Sequence, residues 1–255
     1  MDLIRNEPLY KQAANVLRQA IAAGEYPPGA PLPSEAALAA RYKISRPTVR
    51  QAIASLRAEG LVDVVMGKGS FVRATTAGPI SATERTVTRA GSSYNTPDCG
   101  WTAVEPPTVY RATIDAVTAA LLGMGEGEEV LAVDRILMDE GTGFRRLQRV
   151  TIPLATAVGT NLADEPTLPV VKLYEALALA GYEPAWTESV QARMPNPDER
   201  TALRLPDAVP ILLLHRVTFD AGTGLNLILE ELRGSAEGLS PTYAITALST
   251  AMPSP

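Results

Sequence analysis

The stretch from Ser45 to Val72, "SRPTVRQAIASLRAEGLVDVVMGKGSFV", decides how the front of the chain is read. Ser45 is a natural N-cap, because its hydroxyl can accept from an N–H of the first helical turn. Val49, Ile53 and Leu56 then recur at helical spacing, giving the helix one apolar face, and Gly60 stops it just after Glu59. Arg46 and Arg50 are four residues apart, hence on one side, with Thr48 beside them in the first turn. A helix N-terminus carries unpaired N–H groups and a partial positive charge, so this basic end suits an anion. "LVDVV" and "SFVR" follow as β-rich runs around "MGKG", a tight glycine turn.

Upstream, Tyr10, Ala13, Ala14, Leu17 and Ile21 make one stripe of a helix over residues 9–23, with Gly24 as its stop. "EYPPGAPLP" is a rigid turn, since its prolines cannot donate to a helix or a ladder. Ser34 caps a short helix that carries Leu38 and Tyr42 inward. Three helices and a β-tip make residues 1–73 a winged helix-turn-helix, whose third helix docks in a major groove. In such a groove arginine chelates guanine O6 and N7, and threonine bonds phosphate or touches a thymine methyl. Lys68, between Gly67 and Gly69, can reach phosphate or the minor groove.

The bulk numbers agree. A chain of 255 residues, 46 % hydrophobic and 20 % charged, has room for two domains with real cores. Net charge is −5, yet residues 1–73 hold ten Lys/Arg against six Asp/Glu. A basic front on an acidic body is expected where only the front meets phosphates. The single cysteine, Cys99, cannot form an internal disulfide, which points to a reducing cytosol. With neither a signal-peptide core nor a long apolar run, the expectation is a cytoplasmic protein without membrane contact.

Residues 74–99 are rich in Thr, Ser, Gly and Pro and lack apolar periodicity, so they read as a linker. Residues 100–248, the second domain, contain a repeat. "VDRILMDEGTGF" at 133–144 matches "LHRVTFDAGTGL" at 214–225, aligning Arg135 with Arg216 and Asp139 with Asp220. A short amphipathic helix precedes each copy ("DAVTAALLG" and "PDERTALRL"), and a β-like run follows each glycine tip. This predicts two helix–hairpin units forming one antiparallel sheet with helices against it, an α+β class. Between the copies, "VVKLYEALALAG" is a helix ended by Gly181 and "YEPAWTESVQARM" a strand.

The front of the chain resembles the winged helix-turn-helix of GntR-type bacterial transcription regulators. The marks are "PLY", the proline turn before "LPSE", the "SRPTVRQAI" helix, "EGLV" and "GKGSFV". Residues from about 100 to 245 are similar to the UTRA effector-binding domain of the HutC-like branch, through "GEGEEVLAVDRI", "KLYEAL" and "RLPDAVPILLLHRVTFDAGTG". The resemblance implies a homodimer on a pseudo-palindromic double-stranded DNA operator, released as a repressor by a small-molecule effector. It makes Ser34 and Thr48 phosphate contacts and Arg46, Arg50 and Lys68 the main readers, with Pro47, Gly67 and Gly69 beside them. Ala36 stands where the family commonly carries Arg, and Pro47 stiffens the first turn at no cost in hydrogen bonds.

In the UTRA domains resembled, the effector lies in a cleft of the sheet. The residues carried over are Arg135, Gln148, Tyr174, Glu230 and Arg233, with Ser92, Ser93 and Tyr94 closing from the linker side. Leu137 replaces the second of an arginine pair, and Gln148 a carboxylate. One guanidinium grips a dianion poorly, so a carboxylate-bearing or neutral effector fits better than a sugar phosphate. The UTRA fold is also similar to chorismate lyase, which makes an enzyme the rival reading. Against it, His215 is the lone histidine, Cys99 has none nearby, and Glu230 and Glu231 face opposite sides of a strand. No metal-ligand cluster or nucleotide fingerprint occurs, so neither metal nor cofactor is expected. A constitutive dimeric DNA-binding protein without effector is the other alternative.

Overall fold

The computed structural model describes residues 7–65, 67–73, 82–97 and 100–244. They fall into two compact units, and residues 194–196 and 204–210 cluster with the first.

The first unit holds α1 (Leu9–Ala22), α2 (Glu35–Tyr42), α3 (Arg46–Ala58) and the hairpin of β1 (Val62–Val65) and β2 (Gly69–Val72). α2 and α3 begin where the caps place them: Ser34 Oγ accepts from Ala37 N at 3.2 Å and Ser45 Oγ from Thr48 N at 3.3 Å. The apolar stripes meet in one core of Leu17, Leu38, Val49, Ala52, Ile53 and Leu56, closed from below by Val62 and Val72. The proline turn belongs to the wing, where Pro31 bridges to Phe71 and Leu32 N donates to Ser70 O.

The second unit is built on a seven-stranded sheet. Its strands are β6 (Trp101–Ala103), β7 (Thr108–Thr113), β8 (Glu129–Asp139), β9 (Arg145–Pro153), β10 (Pro184–Arg193), β11 (Ile211–Asp220) and β12 (Asn226–Ser235). The order is β10-β11-β12-β9-β8, with β6 and β7 both pairing the outer edge of β8, and every pairing is antiparallel. On one face lie α5 (Leu154–Val158), a 3-10 turn and α6 (Val170–Leu179), packing Leu173, Ala176 and Leu177 onto Val133, Val150 and Ile152. On the other, α4 (Ala116–Leu122) sets Ala119 on Val130 and Leu122 on Val217 and Leu229. No helix among the described residues is long and apolar enough to cross a membrane.

The repeat is structural. The unit β7–α4–β8–β9 recurs as β10, α7 (Pro197–Leu203), β11 and β12, 81 residues later. Thr108 pairs Asp134 as Ser189 pairs His215, and Met138 pairs Arg145 as Phe219 pairs Asn226. Both tips fold alike: Asp139 accepts from Gly141 N and Thr142 N, Asp220 from Thr223 N and Oγ1. A bulge between Thr218 and Phe219 shifts the second hairpin by one residue.

One expectation is corrected. Much of the 74–99 segment read as linker is folded into the second unit. In it β3 (Ala82–Glu84) pairs in parallel with the late strand β13 (Ser240–Thr242), and β4 (Thr88–Ala90) pairs with β5 (Ser93–Asn95). Three-residue strands show no periodicity, and burial here falls to single side chains, Thr83, Arg85 and Tyr94. Cys99 and residues 74–81 lie outside the described residues.

Candidate nucleic-acid interface and effector cleft

In the first unit, α3 buries Val49, Ala52, Ile53 and Leu56 and turns Arg46, Pro47, Thr48 and Arg50 away from that core. Ser45 and Thr48 hydroxyls share one hydrogen bond at 2.7 Å, so one of the two protons remains to donate. The Ser34 hydroxyl accepts in its cap and likewise keeps its proton. Arg46 has no ion pair among the described residues. Arg50 differs, because its Nε and Nη2 donate to the two carboxylate oxygens of Glu35 at 3.1 and 2.9 Å. At the wing tip Gly67 (φ +76°) and Gly69 (φ +112°) hold backbone angles that L side chains rarely adopt, with open space around them. Lys68 sits between them at the turn.

In the second unit, strand alternation sorts the other candidates. Arg135, Gln148 and Glu230 share the α6 face: Arg135 is the cross-strand neighbour of Gln148, and Glu230 of Val150. Tyr174 comes down from α6 and its hydroxyl donates to Glu230. Tyr94 joins from β5, its ring 6.0 Å from Tyr174 and 5.8 Å from Trp186. Ser93 points to solvent, as β5 alternation requires once Tyr94 is inward, and Ser92 is exposed in the turn before the strand. Arg233 lies an odd number of residues from Glu230, so it faces the opposite side. There it bonds Glu199 at 3.0 Å and Glu231 at 2.8 Å, apart from the residues with which it was grouped.

Three buried side chains that were not among the sequence candidates pack beside Glu230 on this face. Glu188, Arg216 and Glu230 stand in one cross-strand row, and Arg85 closes over them. Arg85 binds Glu188 at 2.7 Å, Arg216 binds it at 2.5 Å, and Arg216 also donates to the Arg85 carbonyl. The repeat held the signal for Arg216, which it aligns with Arg135. The bulge makes Gln148 the counterpart of Glu230, so the same arginine position is neutralised in one copy and not in the other. Arg135 Nη2 donates to the Thr167 and Leu168 carbonyls at 3.0 and 3.3 Å, while its buried Nη1 has no hydrogen-bond partner. Burial pulls its guanidinium below the usual value.

Burial likewise pushes the Glu230 carboxyl above its ordinary 4.5. A carboxyl raised in the folded state adds stability below its ordinary value and loses it as pH rises through the raised one. Glu230→Gln should therefore match the parent near pH 4 and become progressively more stable than it toward pH 8, read as the difference in melting temperature.

The opposite face holds a cavity of about 770 Å³ between α4, β10 and β11, lined in part by Asp115, Thr118, Gln191 and His215. His215 Nε2 lies 3.4 Å from Glu231, and its cross-strand neighbour Ser189 makes no hydrogen bond to it. His215 is thus a buried residue of the sheet beside a carboxylate. Among the described residues no group of three His, Cys, Asp or Glu is placed to hold a metal.

The profile of the bacterial regulatory proteins of the gntR family matches residues 9–72, and that of the UTRA domain residues 108–227. The chain is 28 % identical over 230 residues to the uncharacterized HTH-type transcriptional regulator SCO4628 of Streptomyces coelicolor, covering 83 % of each. It is 24 % identical over 217 residues to the HTH-type transcriptional repressor NagR of Bacillus subtilis, covering 83 % of this chain and 84 % of that one. A crystal structure of a GntR-family protein superposes with a TM-score of 0.64 at 22 % identity, over 95 % of this chain and 99 % of the other, a likeness of fold.

Proposed function

From the premise that the chain belongs to the GntR family of bacterial regulatory proteins and carries a UTRA domain, we propose an effector-released repressor that reads its operator with α3 and the β1–β2 wing. The observation that carries this reading is the build of α3. Its apolar face is anchored in the core, and its capped N-terminal end presents Arg46, Thr48 and Arg50 outward. Ser34, Pro47 and the Gly67–Lys68–Gly69 tip complete the DNA-facing set. One winged domain spans too few base pairs to find a single genomic site, so a homodimer on a pseudo-palindrome follows. Relatives named as repressors, NagR among them, support repression as the outcome. The chain regulates and does not catalyse.

The effector is read on the α6 face, by Arg135, Gln148, Tyr174, Glu230 and Tyr94. Charge balance supports a class. Arg85 and Arg216 offset Glu188 and Glu230, whereas the half-buried Arg135 on the same face has no carboxylate within 4 Å among the described residues. A monoanion, such as a small carboxylate, satisfies it, whereas a phosphate dianion would bring one negative charge too many.

The test is selection of bound DNA from random sequence, then a metabolite screen against that complex. A cognate effector should raise the melting temperature and weaken operator binding together, because it favours one of two states. Stabilisation with unaltered DNA affinity would count against release and leave a constitutive binder.

A further inference from the structure

Resting on the reading of α3 as the DNA-reading helix, we propose that Glu35 is a positioning residue that buttresses Arg50 and sets base preference in the operator. The geometry carries it. Glu35 is the first residue of α2, and its two oxygens take the side edge of the Arg50 guanidinium through Nε and Nη2, at 3.1 and 2.9 Å. A guanidinium has a second edge, at right angles to the chain, made by Nη1 and the outer proton of Nη2. In Arg50 that end edge is unoccupied among the described residues, and the side chain is 72 % exposed. It is also the edge that matches guanine O6 and N7.

A clamp on one edge therefore leaves the reading edge open and aimed. It removes rotamer freedom that Arg50 would otherwise lose on docking, so less binding energy goes into ordering it. It also places a negative charge beside the groove, which disfavours phosphates and wrong registers more than the one in which Arg50 meets a guanine. The Arg50 hydrogen bonds hold the Glu35 carboxyl below its usual range, so the clamp stays charged at neutral pH. Arg46, without such a partner, keeps the freedom that suits a backbone contact. The arrangement splits the two arginines by role: Arg50 for sequence, Arg46 for hold.

The experiment uses the full chain and the operator obtained by selection from random DNA. Binding is titrated on that operator, on versions changed at each G·C pair, and on random DNA. Glu35→Ala should lower operator affinity about tenfold and flatten the preference at the position Arg50 reads. Affinity for random DNA should hold or rise, since a negative charge has gone. Glu35→Gln should fall between. In the Arg50→Ala background Glu35→Ala should cost nothing more, the non-additivity expected of a coupled pair. Unchanged or tighter operator binding with base preference intact would make Glu35 a competitor that DNA must displace, and would overturn the proposal. So would an equal loss on operator and random DNA, which would assign Glu35 to the fold of the head alone. Selection of no sequence by the parent protein would instead remove the reading of α3 on which the proposal stands.

Discussion

Replacing Arg50 with alanine should reduce operator binding to the level of random DNA. Its side chain extends from the exposed face of α3, four residues beyond Arg46, with its reading edge free. A bidentate arginine–guanine contact is worth roughly tenfold to a hundredfold in base discrimination. A dimer makes it twice, so the loss compounds to on the order of a thousandfold, close to the whole margin between a site and bulk DNA. The helix itself is untouched, because Val49, Ala52, Ile53 and Leu56 keep its buried face. A gel shift on the selected operator reads the effect, with circular dichroism as the control. A variant that still retards its operator at parental affinity would sink the assignment of α3 as recognition helix.

Glu188→Ala should produce the largest loss of stability. The side chain is 7 % exposed and holds two arginines that are equally buried, Arg85 at 7 % and Arg216 at 4 %. Removing one partner of such a group leaves uncompensated charge in the interior, at a cost of about 3–5 kcal/mol. Glu230 faces Arg216 across the strand and keeps part of the balance, which places the change near the lower end, about 3 kcal/mol. In a unit of this size that is roughly a 10 °C fall in its melting temperature at pH 7. Acid should erase the difference. Burial pushes the Glu188 carboxyl up, but the hydrogen bonds and charge of Arg85 outweigh it and leave the group below its ordinary 4.5. A depressed carboxyl stabilises above its ordinary value and loses that contribution as pH falls through its folded one. Melting curves of parent and variant should thus lie apart at pH 7 and converge near pH 3. A gap that persists in acid would mean the loss comes from packing and not from charge.

Much of the fold is legible where periodicity and caps speak together. Ser34 and Ser45 start their helices as their hydroxyls allow, and the Val49 stripe fixes which side of α3 is buried. The 81-residue repeat reads through to strand register because both copies needed the same turn around an aspartate. What stayed hidden lacks local signature. Arg85 follows a three-residue strand in a Thr/Ser-rich run, and only the tertiary fold shows that it is buried. Glu35 looks like a helix-start acid until the turn between α2 and α3 brings Arg50 to it. Arg233 was legible in principle, since an odd spacing from Glu230 on one strand sends it to the other face.

The repeated unit gives one position two fates. The copy at Arg216 is locked to Glu188 beneath Arg85 and serves as a rivet, whereas the copy at Arg135 was left ajar. A lesion at the rivet would be felt as scarce protein, because the fold fails before any signal arrives. On the proposed reading of Arg135 as an effector contact, a lesion at the open copy would leave an abundant, well-folded regulator that is deaf.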